Sequence, residues 1–473
     1  LSLSASQLTI PDLYTIGNVQ GQPGTSMYKS EKETQSVYGA LNLSYLNWLY
    51  LGVTGRNDWS STLPAANRSY FYPSVSLGWI FSDALNLRSS AFSFGKLRTS
   101  WATVGKDTDP YQTMAVYSPS STPWNGTPFF SGPSTLPPID LKPEKTLSLE
   151  FGTELRFLSD RLGLNMTYYD TKTRNQIMSV NISNPSGYSA MLINAGEIEN
   201  RGVELTLNGK IIQSPNGLNW GMTINWARNR NRVNKLYPGL TSYNLGPNVN
   251  VQVEAVPGKA WGEIYGGGYL RDASRNIIVD ASGLPQPTAN VDLGNVTPSW
   301  TGGVANDFSY KRFYASVLVD FRWGGDMFSY TAWHDRITGV LNESVRNKVR
   351  ENGLVVKGVT QDGKPNTQNV AAYDYYHGDY NWSIVEPAVF KATYIKLREV
   401  VIGYSIPVRK TGVFKSANIS LVGRNLALLY TDKSNFAHID PETGVGNTNS
   451  GVGIEVFQIP PARSLGAKLQ LSF

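Results

Sequence analysis

The chain has 473 residues, 16% of them charged and 12% aromatic, with no cysteine, and its 42 Lys+Arg against 36 Asp+Glu leave a net charge of +6. So few charges for a globular chain, beside 26 Tyr, 17 Phe and 12 Trp, exclude disorder and favour strands. The absent thiols exclude disulfide scaffolds, thiolate metal sites and cysteine nucleophiles, and three histidines (His334, His377, His438) leave little for a metal cluster or proton relay.

Taken in chain order, the first informative segment is the uncharged run from Ser36 to Gly55. It is long enough for a membrane helix, but Asn42, Ser44, Asn47, Thr54 and three glycines make it too polar to cross hydrocarbon as one. It alternates instead. Leu41, Leu43 and Tyr45 share a face, Asn42 and Ser44 the other, and after Leu46-Asn47 the pattern resumes with Leu49, Leu51 and Val53, which is a hairpin. The same period of two returns in Leu162–Tyr169, Val203–Asn208, Trp220–Ala227, Phe313–Arg322 and Leu465–Phe473. It predicts about fourteen strands: 2–10, 36–45, 48–57, 71–82, 95–105, 145–157, 161–172, 200–211, 217–230, 298–310, 312–323, 391–405, 417–430 and 463–473. The basic run Arg228-Asn229-Arg230-Asn231-Arg232 is too short to predict a nucleic-acid face.

The connections between these strands alternate strictly. Long ones cover 11–35, 58–70, 106–144, 173–199, 231–297, 324–390 and 431–462, and short ones fall between them, down to a single Lys311. In a meander, alternate connections lie at opposite ends, so one rim collects every long loop. A transmembrane β-barrel has this asymmetry, together with segments of about ten residues that are apolar on one face and polar on the other. The expected fold is therefore all-β, a transmembrane antiparallel barrel with short periplasmic turns and long extracellular loops. The chain ends in an amphipathic strand closing on Phe473, and aromatics gather near strand ends at Trp48, Tyr50, Tyr70-Phe71-Tyr72 and Tyr168-Tyr169, as interfacial girdles do.

Nine segments in order carry a family resemblance: Arg56–Ser61, Tyr70–Ser76, Lys96–Trp101, Leu141–Thr146, Asn194–Glu204, Tyr394–Val400, Gly403–Pro407, Gly423–Leu426 and Asp440-Pro441-Glu442. Their sequence resembles the C-terminal part of SusC-like TonB-dependent outer-membrane transporters, with Trp59 and Trp101 as modest departures. The resemblance implies a 22-stranded plugged barrel, of which residues 1–473 are the C-terminal part, with the plug, the TonB-contacting segment and the first strands expected upstream of Leu1. It also implies active import of an oligosaccharide or peptide across the outer membrane of a Gram-negative bacterium. The partners implied are the TonB complex, a SusD-like surface lipoprotein and outer-membrane lipid, with no nucleic acid and no cofactor. Two other classes fit the residues alone: a passive porin or adhesin barrel, and a soluble carbohydrate-binding β protein.

No enzyme chemistry is expected. Glu144, Glu150 and Glu154 share a strand face and read as lumen charges meeting Arg98 or Lys145 rather than a glycosidase pair. Gly266-Gly267-Gly268 lacks the Lys and helix of a phosphate loop and reads as a flexible stretch. His438, Asp440 and Glu442 make a poor cation site without a fourth ligand, and Asp272, Asp280 and Asp292 are spaced as loosely, so no metal is expected. Lumen-lining candidates are Glu204, Asp320, Arg322 and Arg424. Substrate contact falls to loop aromatics and amides: Trp124, Asn125, Trp261, Tyr265, Tyr373, Tyr375, Tyr376 and Trp382. Aromatic faces can pack on sugar C–H faces while amides bond hydroxyls.

Overall fold

The computed structural model describes residues 2–5, 7–27, 29–119, 124–246, 249–408, 413–444 and 453–473. Thirteen of the fourteen expected strands join one antiparallel sheet in simple meander order. They are β1 (Thr34–Tyr45), β2 (Leu49–Ser60), β3 (Ser69–Trp79), β4 (Phe92–Lys106), β5 (Glu144–Phe157), β6 (Leu162–Arg174) and β7 (Glu197–Ile212). Then come β8 (Leu218–Lys235), β9 (Trp300–Tyr310), β10 (Phe313–Trp323), β11 (Tyr394–Ile406), β12 (Ser416–Thr431) and β13 (Ser464–Ser472). The expected strand 2–10 is corrected: Ser2–Ser4 pairs with Gly24–Ser26 in a separate two-stranded ribbon. Alternation alone does not choose a partner, and that segment lies apart from the sheet edge.

Register turns the sequence alternation into two continuous faces. Leu155, Leu164, Leu207, Ile224, Val304 and Val319 stand opposite one another across six successive strands. One position along, Glu154, Asn165, Thr206, Asn225, Gly303, Asp320 and Lys396 form the matching row on the other face. A second apolar row runs Leu41, Val53, Val75, Trp101, Leu149. The apolar face is not a protein core, since Leu421 and Leu465 remain 66% and 82% exposed. An apolar face of that breadth needs an apolar surrounding.

The polar face is held by side-chain bonds across strands. Arg98 on β4 reaches over β5 to Asn165 and Thr167 on β6, at 2.9 and 2.6 Å. The residue it crosses is Gly152, where a Cβ would lie 2.2 Å from the guanidinium, so only glycine admits the bridge. Thr206 with Asn225 and Thr223 with Asn208 add further cross-strand pairs.

The fully buried apolar core lies in the long connections. The loop after β8 folds into its own four-stranded sheet, Tyr243–Asn244, Val251–Ala255, Trp261–Tyr269 and Pro287–Asn295. The loop after β10 contributes Asp326–Ser329 and the helix Tyr330–Ile337, and the loop after β12 contributes Ile454–Glu455, which pairs in parallel with Phe328-Ser329. Val251, Val253, Ile264, Val296, Phe328, Trp333, Ile337 and Ile454 pack together as one cluster drawn from all three loops. Among the described residues no helix is long and apolar enough to cross a membrane.

Candidate functional site

The shared loop core is assembled from residues that the chain holds far apart. Ser329 caps the helix by accepting from the Ala332 N–H at 3.0 Å, as a helix N-terminus favours. The carboxylate of buried Glu455 accepts from the hydroxyls of Ser329 and Thr331 and from the Gln458 N–H at 2.9 Å. The Trp333 indole donates to the Ile384 carbonyl at 3.0 Å. The Ser329 and Thr331 bonds to Glu455 tie the third loop to the second, and the indole bond holds the second loop to itself. The Gly266-Gly267-Gly268 run, expected as a flexible stretch, is corrected to the middle of the strand Trp261–Tyr269. A Cβ on Gly267 would lie 1.7 Å from the Ser383 carbonyl oxygen, and the Val385 N–H donates to Gly267 at 2.9 Å. The glycines are there because two backbones touch.

Beside that contact lies an open cleft of about 410 Å³. Asn250, Gln252, Tyr265, Thr288, Asn290 and Trp382 supply its larger side chains, and its remaining wall is Gly, Ala, Pro, Ser and Val, with no carboxylate or cation. Asn250 and Asn290 both hold left-handed backbone, φ 59° and 54°, a conformation asparagine tolerates well. The Tyr265 hydroxyl accepts from Lys259 Nζ at 2.8 Å, and Lys259 is paired in turn with Asp292. Hydrogen bonds to Asp292 and Tyr265 raise the Lys259 ammonium well above its ordinary range, so it stays charged and fixes the ring.

Of the sequence candidates, Tyr265 and Trp382 thus meet in one cleft. Trp261 lies outside the cleft lining, its N–H bound to Asn231 and its carbonyl to Asn295 and Thr297. Tyr375 and Tyr376 have a different partner: the buried Arg336 guanidinium lies 5.2 and 5.7 Å from their ring centres and donates to the Tyr375 hydroxyl at 3.0 Å. This is a packing unit of the loop body. Tyr373 is exposed against His377, and Trp124 and Asn125 form an exposed turn in the loop after β4.

Glu204, Asp320, Arg322 and Arg424 occupy the polar face, Arg424 bonded to Glu399 and Arg322 to the Val296 carbonyl. Asp320 belongs to a wider network with Asp440 and Glu442, whose two cations, Lys396 and Arg398, were not singled out as site residues from sequence. Lys396 Nζ reaches Asp440 at 2.6 and 2.8 Å and Glu442 at 2.5 Å, and Arg398 binds both Glu442 and Asp320. A bulge at Arg398 puts it and Glu399 on the same face, which hides both from a strict period of two. Burial would raise the Glu442 carboxyl, but hydrogen bonds from Arg398 and Lys396 outweigh it and bring it down to about 2.

The loose acidic groups have local partners too. Asp272 accepts from Asn276, Asp280 from the Ser282 and Leu284 N–H groups, and Glu144 from the Ile177 N–H. The expected meeting of the β5 carboxylates with Arg98 or Lys145 is corrected: Glu154 pairs with Arg156 and Glu144 faces Lys106.

A family model described as TonB dependent receptor-like, beta-barrel matches residues 6–381. The chain is 25% identical over 496 residues to TonB-dependent receptor P3 of Formosa agariphila, covering 97% of this chain and 47% of that protein. It is 24% identical over 469 residues to TonB-dependent receptor SusC of Bacteroides thetaiotaomicron, covering 94% and 44%. The chain therefore spans about half the length of the curated relatives it matches. In fold it is similar to the structure of the RagAB peptide transporter, with a TM-score of 0.75 at 23% identity over 99% of this chain and 50% of that one. A meander with two sorted faces, a looped rim and this match over most of its length make the chain a member of the TonB-dependent receptor β-barrel family.

Proposed function

We propose that this chain is the C-terminal part of the barrel of an outer-membrane active importer, with its apolar face in lipid and its polar face lining the lumen. The observation that carries the reading is the row from Leu155 to Val319, one apolar residue per strand at one level, backed by a row of amides and charges. β1 and β13 end the sheet without pairing to each other. A free strand edge costs several kcal/mol per unsatisfied group in hydrocarbon, so the barrel closes through strands contributed by the rest of a longer protein. A 22-stranded plugged barrel, a size known for outer-membrane transporters, accommodates the plug that the lumen charges would hold. Energy in this reading comes from the TonB complex through that upstream part, as the family membership suggests.

The cargo in this reading is an oligosaccharide, with a peptide as the competing class. The cleft favours glycan: Trp382 and Tyr265 offer ring faces, Asn250, Gln252 and Asn290 offer amides, and no lining side chain is ionised to meet peptide charges. Exposed Trp382, Tyr373 and Phe457 leave apolar surface on the loop body, fitted to a SusD-like lipoprotein lid. Binding of the intact complex to panels of neutral glycans and of peptides tests the cargo. Loss of glycan binding in Trp382→Ala is expected; tight peptide binding unaffected by that change would overturn the glycan reading. Deleting residues 345–370 is expected to impair lid co-purification or uptake.

A further inference from the structure

The outward face carries charge at one place only a short way above the apolar row. On β8, Trp220, Met222, Ile224 and Trp226 face outward with Leu207 and Leu205 as neighbours, and the same face continues as Arg228, Arg230 and Arg232. The intervening asparagines point the other way and are occupied: Asn229 bonds Asn200 at 3.1 Å and Asn231 bonds Thr297 at 3.1 Å. The nearby outward carboxylates are also taken. Asp170 and Glu199 bind Arg201, and Glu197 binds Arg174. Arg228, Arg230 and Arg232 are exposed, and among the described residues none of them has an ion pair or side-chain hydrogen bond. Arg230 stands directly opposite Arg201. Like charges paired across strands destabilise a sheet, and while Asp170 and Glu199 neutralise Arg201, Arg230 has no anion of its own among the described residues.

Height decides which anion. This inference rests on the proposed barrel reading, with the centre of the apolar stretch near Met222–Ile224. A strand rises about 3.3 Å per residue and barrel strands tilt about 40°. Arg228, Arg230 and Arg232 then lie roughly 13, 18 and 23 Å above the midplane, against a half-thickness of about 12 Å for the apolar band. The first sits at the hydrocarbon edge and the others at headgroup level, on the long-loop side. We infer that this arginine stripe binds the phosphate groups of glycolipids in the surrounding outer leaflet. Guanidinium forks match phosphate geometry in two parallel bonds, and a cation near an anionic leaflet strengthens attachment by up to about fivefold each.

The test compares the complete transporter with its R228Q/R230Q/R232Q variant and with Lys468→Gln, which removes a charge from the opposite face. Each is reconstituted into phosphatidylcholine vesicles doped with a bisphosphorylated lipid A, or with the same glycolipid after dephosphorylation. Glycolipid retained per transporter is then read by native mass spectrometry. The expected result is about a tenfold loss of retained phosphorylated lipid in the triple variant, no loss in Lys468→Gln, and little retention of the dephosphorylated lipid by any form. Equal retention by wild type and triple variant, or retention indifferent to phosphate, overturns the inference while the barrel reading stands. So does loss of a co-purified acidic protein in place of lipid. Failure of the wild-type transporter to insert into vesicles overturns the barrel reading itself.

Discussion

Replacing Glu442 by Gln keeps the volume of the side chain and removes its charge. In the native loop that carboxylate receives Lys396 and Arg398 together, and the Lys396 side chain is only 5% exposed. Stripping a buried charge of its partner costs about 3–5 kcal/mol. Here each cation keeps a second carboxylate, Asp440 for Lys396 and Asp320 for Arg398, so the expected cost is nearer 2 kcal/mol. That is about a 30-fold rise in the open population of the loop after β12. The pH dependence has a definite sign. Glu442 sits at about 2 in the folded protein against 4.5 ordinarily, so its contribution is complete above about 4.5 and is lost as pH falls toward 2. Amide exchange of residues 432–444, followed from pH 7 to 2.5 in detergent, checks both statements. Wild type should open progressively below pH 4.5, whereas the Gln variant should already exchange about 30-fold faster at pH 7 and show a smaller acid step. Identical exchange in the two proteins across that range would refute the claim that this network docks the loop.

Three other outcomes follow from the same geometry. Val319→Arg, placed in the apolar row, should destabilise the folded barrel in lipid by about 2–4 kcal/mol, measured by reversible urea unfolding in vesicles, while Gly303→Ser on the polar face should cost far less. Gly267→Ala forces a methyl against the Ser383 carbonyl and should separate the two loop backbones at a cost of about 1–3 kcal/mol, seen as protease sensitivity near residues 379–388 with barrel heat-modifiability kept. Tyr265→Phe removes the hydroxyl held by Lys259 and should weaken glycan binding severalfold by calorimetry without changing loop proteolysis.

Sequence was most informative where physics is periodic. Each strand face meets one environment, so Leu162–Tyr169 or Trp220–Ala227 announce themselves as strands, and connection length sorts the two rims. It was misleading for residues 2–10, whose alternation is real but whose pairing depends on a neighbour that local pattern does not name. The cleft was half legible: Tyr265 and Trp382 stood out as loop aromatics, while Asn250, Gln252 and Asn290 did not differ from dozens of other amides. Tyr375 and Tyr376 look equally suited to a ligand until Arg336 is seen between them. Asp440 and Glu442 were visible as loop acids, but their partner Arg398 was hidden by one bulge, although Tyr394–Val400 and Asp440-Pro441-Glu442 both belonged to the motifs carrying the family resemblance.

The parallel pairing of Phe328-Ser329 with Ile454-Glu455 joins residues 126 positions apart. Contacts that distant in sequence form late, because the intervening chain must be closed first. β11 and β12 lie between them in the chain, and Ile454 completes the core around Trp333 from beyond both. Until that pair closes, the cluster that packs beside Gly266 through Val251 and Val385 lacks one of its members. The packing behind the cleft is thereby tied to the loop after β12: a molecule cut before Ile454 is expected to keep most of its sheet and to lose one member of the core beside Gly266 and Gly267.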